Sequence, residues 1–397
     1  MNAMLSFEEA LQRLMASAKP VGRVETVDTM LAVDRVLAEP VRAAIDVPPA
    51  DNSAMDGYAI RIMDLTATGM PMKVSQRIPA GGHPLPLQAA TAARIFTGAP
   101  IPSGADAVVM QERCMAQADS VIINHLPVSG ENIRRAGEDV KAHAEVLTAG
   151  TLLRAQDIGL AASVGVAHLK VFAPLRVAVF FTGDELMMPG ESLRPGAIYN
   201  SNRYVLNGLL TRLGCIVTDL GIVADDLDAT RAALREAAQR NDAVITCGGV
   251  SVGEEDHVKA AVQAEGVLDT WQIAIKPGKP LAFGKVGEAA FIGLPGNPVS
   301  SFVTFLTLVK PYIRSCQGVA YWYAQRVNMR ADFAWTKADT RREFLRVRRN
   351  ASGGLDLFPR QGSGVLTSCV WADGLVDNPP GTSIAPGDMV SYRPFED

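Results

Sequence analysis

The chain has 397 residues, and its 38 Lys and Arg against 42 Asp and Glu give a formal net charge of −4. At about 150 residues per domain this length predicts two or three domains, and the lack of a basic excess excludes general binding to nucleic acid through its phosphates. A composition of 48% hydrophobic and 20% charged residues is typical of a folded protein and excludes extensive disorder.

The sequence contains no signal for a membrane, a disulfide framework or a structural zinc site. No uncharged apolar run reaches about 18 residues, and the N-terminus MNAMLSFEEA is acidic where a signal peptide is basic. The five cysteines are odd in number, and no two form a C-x-x-C pair. We therefore expect a cytoplasmic protein with no membrane and no nucleic-acid partner, in which any metal would be a hard cation on oxygen ligands.

The N-terminal part combines helical periodicity with a β-rich stretch. Ser6 and Glu9 form a capping box that predicts a helix over 6–18, and helical spacing recurs over 30–37 and 152–164. Short apolar runs between turn residues fill 58–145 and indicate a small β-rich domain. We expect the helices to pack together around this insertion.

Residues 176–315 alternate between strands and helices. The β-branched runs RVAVFF, CIVTDLGIV, DAVITC and AAFIGL predict a parallel sheet, and 202–213, 228–240 and 299–313 have helical periodicity. After about 320 the pattern returns to short strands with Gly and Pro turns.

The predicted fold class is therefore α/β plus β, in several domains. A segmented helical N-terminal domain spans 1–53 and 140–175, and a β-rich inserted domain spans 54–139. The central, doubly wound and mostly parallel α/β domain spans 176–319, and a small C-terminal β-barrel or sandwich spans 320–397.

Polar residues follow each predicted strand of the α/β domain, where ligands bind in open sheets. The four loops run from Thr182 to Glu185, from Asp225 to Asp226, from Gly248 to His257 and from Pro295 to Pro298. The third contains Gly248, Gly249, Ser251 and Gly253, whose small residues and hydroxyl suit phosphate binding, although a glycine pair alone is equally typical of a structural turn.

Two sets of charges near these loops suggest phosphoryl or nucleotidyl chemistry. Glu185, Asp225 and Asp256 could jointly bind Mg²⁺, whereas helix capping is the favoured interpretation for Asp184, Asp226 and Asp228. The Lys-Pro-Gly-Lys-Pro loop places Lys276 and Lys279 where they could bind a tetrahedral oxyanion, with a solvated surface pair as the alternative. Arg134 and Arg346 belong to basic clusters that could bind phosphate or form surface ion pairs, and the histidines share no motif.

Seven segments together resemble one family, in order and across nearly the whole chain. They are NSAMDGYA (52–59), IFTGA (95–99), RRAGEDV (134–140), TGDEL (182–186), GGVSVGEED (248–256), KPGKP (276–280) and LPGNPVS (294–300). The family is that of molybdopterin molybdenumtransferase, the molybdenum insertase of molybdenum-cofactor synthesis, which is related to the E domain of gephyrin.

The resemblance implies a homodimer that hydrolyses adenylylated molybdopterin with a divalent metal, releases AMP and inserts molybdate. Molybdopterin adenylyltransferase and molybdoenzyme maturation proteins are the further partners it suggests. By motif it assigns catalysis to Asp56, Glu185, Asp225 and Asp256, of which the last three would bind the metal. The molybdopterin-binding set is Thr97, Arg134, Asp139, Thr182, Gly248, Gly249, Ser251, Gly253, Pro295 and Pro298, and the molybdate-binding set is Lys276, Lys279, Arg346 and Ser368, with Ser363 as an equal alternative to Ser368.

One residue departs from the family pattern, and two other functions fit parts of the sequence. Gln272 stands where the family often has another Lys, which lowers the positive charge near the oxyanion pocket. A molybdopterin adenylyltransferase would account for the α/β domain alone. A gephyrin-like scaffold without turnover would not need the acidic set, so the insertase is the preferred hypothesis.

Overall fold

A computed structural model describes residues 4–249, 257–320 and 325–395. The helices in these ranges are α1 (Phe7–Ser17), α2 (Ala155–Ser163), α3 (Ser201–Arg212), α4 (Leu227–Arg240), α5 (His257–Glu265), α6 (Pro298–Thr304), α7 (Lys310–Cys316) and α8 (Thr367–Trp371). Short 3-10 turns occur at Thr29–Leu31, Ile62–Asp64 and Gln111–Arg113, and a π-helical turn at Phe305–Val309 joins α6 to α7. None of the described helices has the length and apolar character needed to cross a membrane.

The N-terminal part contains a six-stranded sheet and three two-stranded ribbons. Its strands are β1 (Val24–Asp28), β2 (Val41–Arg42), β3 (Asn52–Ser53), β4 (Gly57–Ile60), β5 (Pro71–Ile78), β6 (Thr91–Ile95), β7 (Ala107–Met110), β8 (Cys114–Ala116), β9 (Ser120–Ile123), β10 (Ile133–Arg134), β11 (Glu145–Leu147) and β12 (His168–Phe172). The sheet has the order β7-β4-β6-β5-β9-β8, and the ribbons pair β1 with β12, β2 with β11 and β3 with β10.

The expectation that the N-terminal helices pack together is wrong, because α1 and α2 lie in different cores. The Ser6–Glu9 capping box forms as predicted, but Phe7, Ala10 and Leu14 of α1 are buried in the core of the central sheet rather than against α2. The periodic stretch 30–37 contains only the 3-10 turn, because Asp34 has a positive φ of 63° that stops a helix and Val36 and Leu37 form β-bridges.

The middle of the chain forms the α/β unit. Its strands are β13 (Arg176–Thr182), β14 (Leu186–Met187), β15 (Ile198–Tyr199), β16 (Ile216–Val223), β17 (Ala243–Cys247), β18 (Gly266–Gln272), β19 (Ile275–Lys276), β20 (Pro280–Val286) and β21 (Ala289–Leu294). The main sheet has the order β16-β13-β17-β21-β20-β18. The first four strands are parallel, whereas β20 runs antiparallel to both of its neighbours.

Both faces of this sheet are buried. Val177, Val179 and Phe181 point into the core shared with α1, α3 and α6, and Ala178 and Phe180 point into the core shared with α4 and α5. This two-sided burial explains why β13 reads as a continuous apolar run instead of an alternating one. The predicted doubly wound α/β domain is confirmed.

The C-terminal part is a closed five-stranded barrel. Its strands are β22 (Val327–Ala331), β23 (Arg342–Arg349), β24 (Gly354–Leu357), β25 (Gly374–Asn378) and β26 (Met389–Pro394). They pair in the order β23-β24-β22-β26-β25, and β25 also pairs with β23 to close the ring. The short strand β19 of the α/β unit pairs with β23 from outside, which joins the barrel to the central sheet. Of the two predicted forms, barrel or sandwich, the barrel is confirmed.

Candidate functional site

The carboxyl ends of the four parallel strands lie at one edge of the central sheet. Thr182 of β13 is level with Val223 of β16, and Cys247 of β17 is level with Leu294 of β21. The loops that follow these strands therefore begin side by side. The register brings the strand-end residues that the sequence singles out to the same edge.

Glycines allow close packing at the end of β17. Gly248 and Gly249 have positive φ values of 92° and 63°, and a Cβ at Gly249 would lie 2.4 Å from Cγ2 of Val258 and 3.1 Å from Oγ1 of Thr182. A side chain at Gly249 would therefore be strained by the positive φ and would collide with Val258. Ser251, Gly253 and Asp256 of the same loop lie outside the described residues.

A cavity of about 490 Å³ lies between the α/β unit and the barrel. Its lining comes from the glycine turn, the lysine loop, the turn after β21 and the loop before α8. The lining residues are Gly248, Gly249, Lys276, Pro277, Gly278, Lys279, Pro280, Pro295, Gly296, Asn297, Ser300, Arg341, Gln361, Gly362 and Ser363. Pro298 is half-buried at the first turn of α6, where its fixed φ suits a helix start.

The two lysines of the cavity have different surroundings. The Nζ atom of Lys276 lies 3.1 Å from Oε1 of Glu343 and 3.3 Å from Oδ2 of Asp339. Lys279 is exposed, and within the described ranges no carboxylate lies at ion-pair distance from its ammonium. Of these two lysines, Lys279 is therefore the one whose positive charge is not paired with a carboxylate of the described residues.

Arg341 is also engaged by Asp339. Its Nε and Nη2 atoms donate to the two carboxylate oxygens at 3.0 and 2.9 Å. The Arg341 side chain, followed by its backbone N–H and Lys276, holds the pKa of Asp339 well below its usual range despite partial burial. Asp339 is therefore ionised at neutral pH and links the two cations.

Arg346 and Ser368 lie behind the cavity wall rather than on it. Arg346 is 1% exposed and donates to the carbonyl of Phe344 at 2.9 Å, to Oγ of Ser368 at 3.2 Å and to the carbonyl of Gly362 at 3.4 Å. Burial lowers the pKa of the guanidinium to about 10. Of the two serines weighed from the sequence, Ser363 lines the cavity and Ser368 is fully buried beside Arg346.

The structure describes two of the three acidic residues that the sequence suggests for metal binding. Glu185 is exposed after β13, with its carboxylate close to Gly183, and half-buried Asp225 follows the neighbouring β16. Asp256, the third member, lies outside the described residues. Within the described part of the chain, no three His, Cys, Asp or Glu side chains cluster closely enough to hold a metal ion.

The helix-cap interpretation of the other acidic residues is correct for one of three. Asp226 caps α4 by accepting a hydrogen bond from the backbone N–H of Ala229 at 2.8 Å. Asp228 lies in the first turn of α4, where its charge favours the positive helix end. Asp184 lies in a turn between β13 and β14, so a cap is wrong for this residue.

The N-terminal candidates lie apart from the cavity lining. The Asp56 carboxylate accepts hydrogen bonds at 2.8 Å from both the backbone N–H and the hydroxyl of Thr97, and these bonds lower the pKa of Asp56. Arg134 is exposed on β10, paired with Asn52 of β3. Asp139 is also exposed, and its backbone N–H donates to the carbonyl of Val47 at 3.0 Å.

The sequence interpretation did not single out several residues of the site. Glu343 and Asp339 lie more than sixty positions after Lys276, and only the pairing of β19 with β23 brings them to it. Nothing in the local sequence signals this contact. Gln361 could have been found, because it begins the Gln-Gly-Ser-Gly turn that contains Ser363.

Comparison with known proteins agrees with this architecture. The chain matches the family models "MoeA N-terminal region (domain I and II)" over 5–165, "Probable molybdopterin binding domain" over 178–315 and "MoeA C-terminal region (domain IV)" over 328–395.

Full-length relatives and a solved structure match as well. The chain is 38% identical to a molybdopterin molybdenumtransferase of Haemophilus influenzae, covering 99% of both chains. It is 36% identical to molybdopterin molybdenumtransferase 2 of Mycobacterium tuberculosis, covering 93% of this chain and 94% of the relative. A crystal structure of the molybdopterin biosynthesis moeA protein of Pyrococcus horikoshii superposes with a TM-score of 0.87 at 28% identity, covering 99% of this chain and 100% of the other. The chain therefore belongs to the MoeA family of molybdopterin molybdenumtransferases and is a transferase of molybdenum-cofactor biosynthesis.

Proposed function

We propose that the chain uses molybdate and adenylylated molybdopterin to form molybdenum cofactor and releases AMP in a reaction that requires a divalent metal, Mg²⁺ by preference. The observation that carries this proposal is the cavity of about 490 Å³ that joins the glycine turn after β17 to the Lys276–Lys279 loop. Backbone of the glycine turn and two lysine side chains thus line one space. An enzyme that handles an adenylyl phosphate and an inorganic oxyanion together needs both.

The charges of the cavity suit molybdate on the lysine side. A tetrahedral dianion is attracted by compact ammonium groups, and Lys279 is exposed in the cavity wall. Ser363 and Asn297 line the same space and can donate hydrogen bonds to oxygen atoms. In this proposal the cofactor phosphate lies nearer to Gly248 and Gly249, which line the cavity with backbone and carry no side chain that could keep an anion away.

The proposed Mg²⁺ would be held by Glu185 and Asp225, with Asp256 as the third ligand. Their carboxylate oxygens are the donors that Mg²⁺ prefers, and this ion commonly binds one or two carboxylates together with water and substrate phosphates. Glu185 and Asp225 follow adjacent parallel strands, so their loops share the edge at which the phosphate would lie. A bound Mg²⁺ would neutralise negative charge on the phosphate oxygens.

The proposal includes a cytoplasmic homodimer. Asp56, Thr97, Arg134 and Asp139 do not line the cavity, so a second subunit that brings them to it would explain why one site needs both halves of the chain. All five cysteines are free, which fits a reducing compartment. Molybdopterin adenylyltransferase, as the source of the substrate, and molybdoenzyme maturation proteins, as acceptors of the product, are the proposed partners.

The two competing functions make different predictions. An adenylyltransferase would need only the α/β unit, whereas the relatives match over the barrel and the N-terminal part as well. A scaffold without turnover would bind molybdopterin and release no AMP. The decisive measurement is therefore AMP release from adenylylated molybdopterin by the purified chain.

The assay should compare four reactions: complete, without molybdate, without Mg²⁺, and with the Lys285→Ala variant as a control. Lys285 forms an exposed ion pair with Glu288 away from the cavity, so its loss should leave turnover unchanged. We expect AMP and active cofactor only when molybdate and metal are both present. Binding of the substrate without release of AMP under any condition would favour the scaffold.

A further inference from the structure

A buried carboxylate stands behind one of the two cavity lysines. Oε1 of Glu343 lies 3.1 Å from Nζ of Lys276, and Oε2 accepts a hydrogen bond from Nε1 of Trp335 at 2.7 Å. Glu343 is 1% exposed, and parallel pairing of β19 with β23 places it opposite Lys276. Oε2 is hydrogen-bonded, whereas Oε1 is buried without a hydrogen bond and its described contact is the ion pair with Lys276, so the carboxylate is fixed by Trp335 and acts on the ammonium through its charge.

The charges of the cavity wall do not cancel evenly. Among the described residues, the cations at this wall are Lys276, Lys279 and Arg341, with Arg346 buried behind it, and the carboxylates are Asp339 and Glu343, which leaves a formal net charge of +2. Lys276 contacts both carboxylates and Arg341 contacts one. Arg346 does not line the cavity, so the surplus charge that is exposed to it is located mainly on Lys279.

We infer that Glu343 is a positioning residue that fixes Lys276 and compensates its charge, so that Lys279 supplies most of the attraction for an oxyanion and Lys276 supplies its orientation. This inference rests on the proposed function and assigns a different role in oxyanion binding to each of the two lysines. A mobile, uncompensated lysine attracts sulfate and phosphate as readily as molybdate. An ammonium that is ion-paired with two carboxylates has a restricted position, so it favours the anion whose size and shape match the cavity.

Substitution of Glu343 by Gln removes the negative charge of the side chain and keeps its shape. The amide keeps the volume and still accepts the Trp335 hydrogen bond, but it no longer compensates Lys276. The Lys276 side chain is 39% exposed, and Asp339 remains beside it, so the substitution does not leave a buried, unpaired cation. We expect Glu343→Gln to bind both molybdate and sulfate about three- to tenfold more tightly, because a neighbouring negative charge has been removed.

Turnover by Glu343→Gln should fall, although this variant binds oxyanions more tightly. With Lys276 held by Asp339 alone, kcat for AMP release at saturating molybdate should fall about tenfold while KM for molybdate falls, a split that a loss of folded protein does not produce. The matched control is Glu288→Gln, which removes the same charge from an exposed Lys285 pair and should change neither quantity. Trp335→Phe removes the N–H donor to Glu343 and part of the ring whose centroid lies 6.0 Å from Nζ of Lys276, and it should give the same changes at smaller size.

The experiment is calorimetric titration of molybdate and of sulfate into the full-length chain and each variant, followed by the AMP assay. Lys279→Ala should weaken both oxyanions about tenfold more than Lys276→Ala does. Unchanged or weaker oxyanion binding by Glu343→Gln, or equal losses for the two lysine variants, would overturn the inference. The titrations need no turnover, so a wild-type chain that binds oxyanions with these differences but releases no AMP would overturn the proposed function alone.

Discussion

The buried guanidinium of Arg346 leads to a prediction about stability and function together. Arg346→Met keeps the length of the side chain and removes its charge. A pKa lowered from 12.5 to about 10 corresponds to about 3 kcal/mol of unfavourable free energy for the folded cation, since a tenfold change in proton affinity is worth about 1.4 kcal/mol. Because the folded pKa is the lower one, this penalty is complete at every pH below about 10, including neutral pH.

The substitution also removes the hydrogen bonds from Arg346 to Phe344, Ser368 and Gly362, worth about 1.5 kcal/mol each at the lower end of the range for a charged donor. The two contributions nearly cancel, so the free energy of unfolding should change by less than about 2 kcal/mol. Molybdate-dependent AMP release should nevertheless fall at least about tenfold, because the loop that bears Gly362 loses its support and the cavity wall loses the positive charge behind it.

Urea unfolding followed by tryptophan fluorescence gives the first quantity, and AMP release against molybdate concentration gives the second. Arg349→Met on the same strand is the matched control, since its pair with Asp373 is exposed and should be worth about 0 to 1 kcal/mol. A loss of more than about 4 kcal/mol in Arg346→Met would show that the guanidinium is mainly structural. Wild-type turnover in the variant would refute a role in the site.

Three further predictions concern the other parts of the site. Lys279→Ala should raise the molybdate concentration needed for half-maximal cofactor formation about tenfold while binding of adenylylated molybdopterin changes little; superimposable titration curves would exclude Lys279 from oxyanion binding. Asp225→Ala should abolish Mg²⁺-dependent AMP release while the chain stays folded, whereas full activity at limiting Mg²⁺ would remove Asp225 from the metal site. Mixing inactive Asp56→Ala chains with inactive Asp225→Ala chains should restore part of the activity if two subunits complete each site, and no recovery after verified subunit exchange would favour a site within one chain.

The fold was readable from the sequence wherever local chemistry determines structure. The hydrogen bonds between Ser6 and Glu9 form as the capping box requires, and the apolar runs of β13 and β17 are strands of the central sheet. The strands β18 and β20 were missed because they contain glycines and charged residues and depend on antiparallel pairing with each other. The stretch 30–37 shows helical spacing, but its tertiary contacts are β-bridges to distant residues.

The residues of the candidate site likewise include some that short motifs predict and some that depend on tertiary contacts. Lys276, Lys279 and Pro295 were singled out from short motifs, and the structure places them around one cavity. The partners of Lys276 could not be predicted, because its contact with Glu343 depends on strand register between two domains. Whether Ser363 or Ser368 faces the cavity likewise depends on how the loop before α8 closes, and the structure places Ser363 there.

The pairing of β19 with the barrel also affects how the enzyme matures during synthesis. The cavity takes its floor from residues near 248 and 277, but Arg341 and the wall at 361–363 come from the last quarter of the chain. Domains tend to fold as they leave the ribosome, N-terminal parts first. The α/β unit can therefore be complete while the lysine loop still lacks Glu343 and the oxyanion niche is open on one side. A chain interrupted in the barrel would bear the glycine turn without a finished pocket, so activity is withheld until synthesis is almost complete.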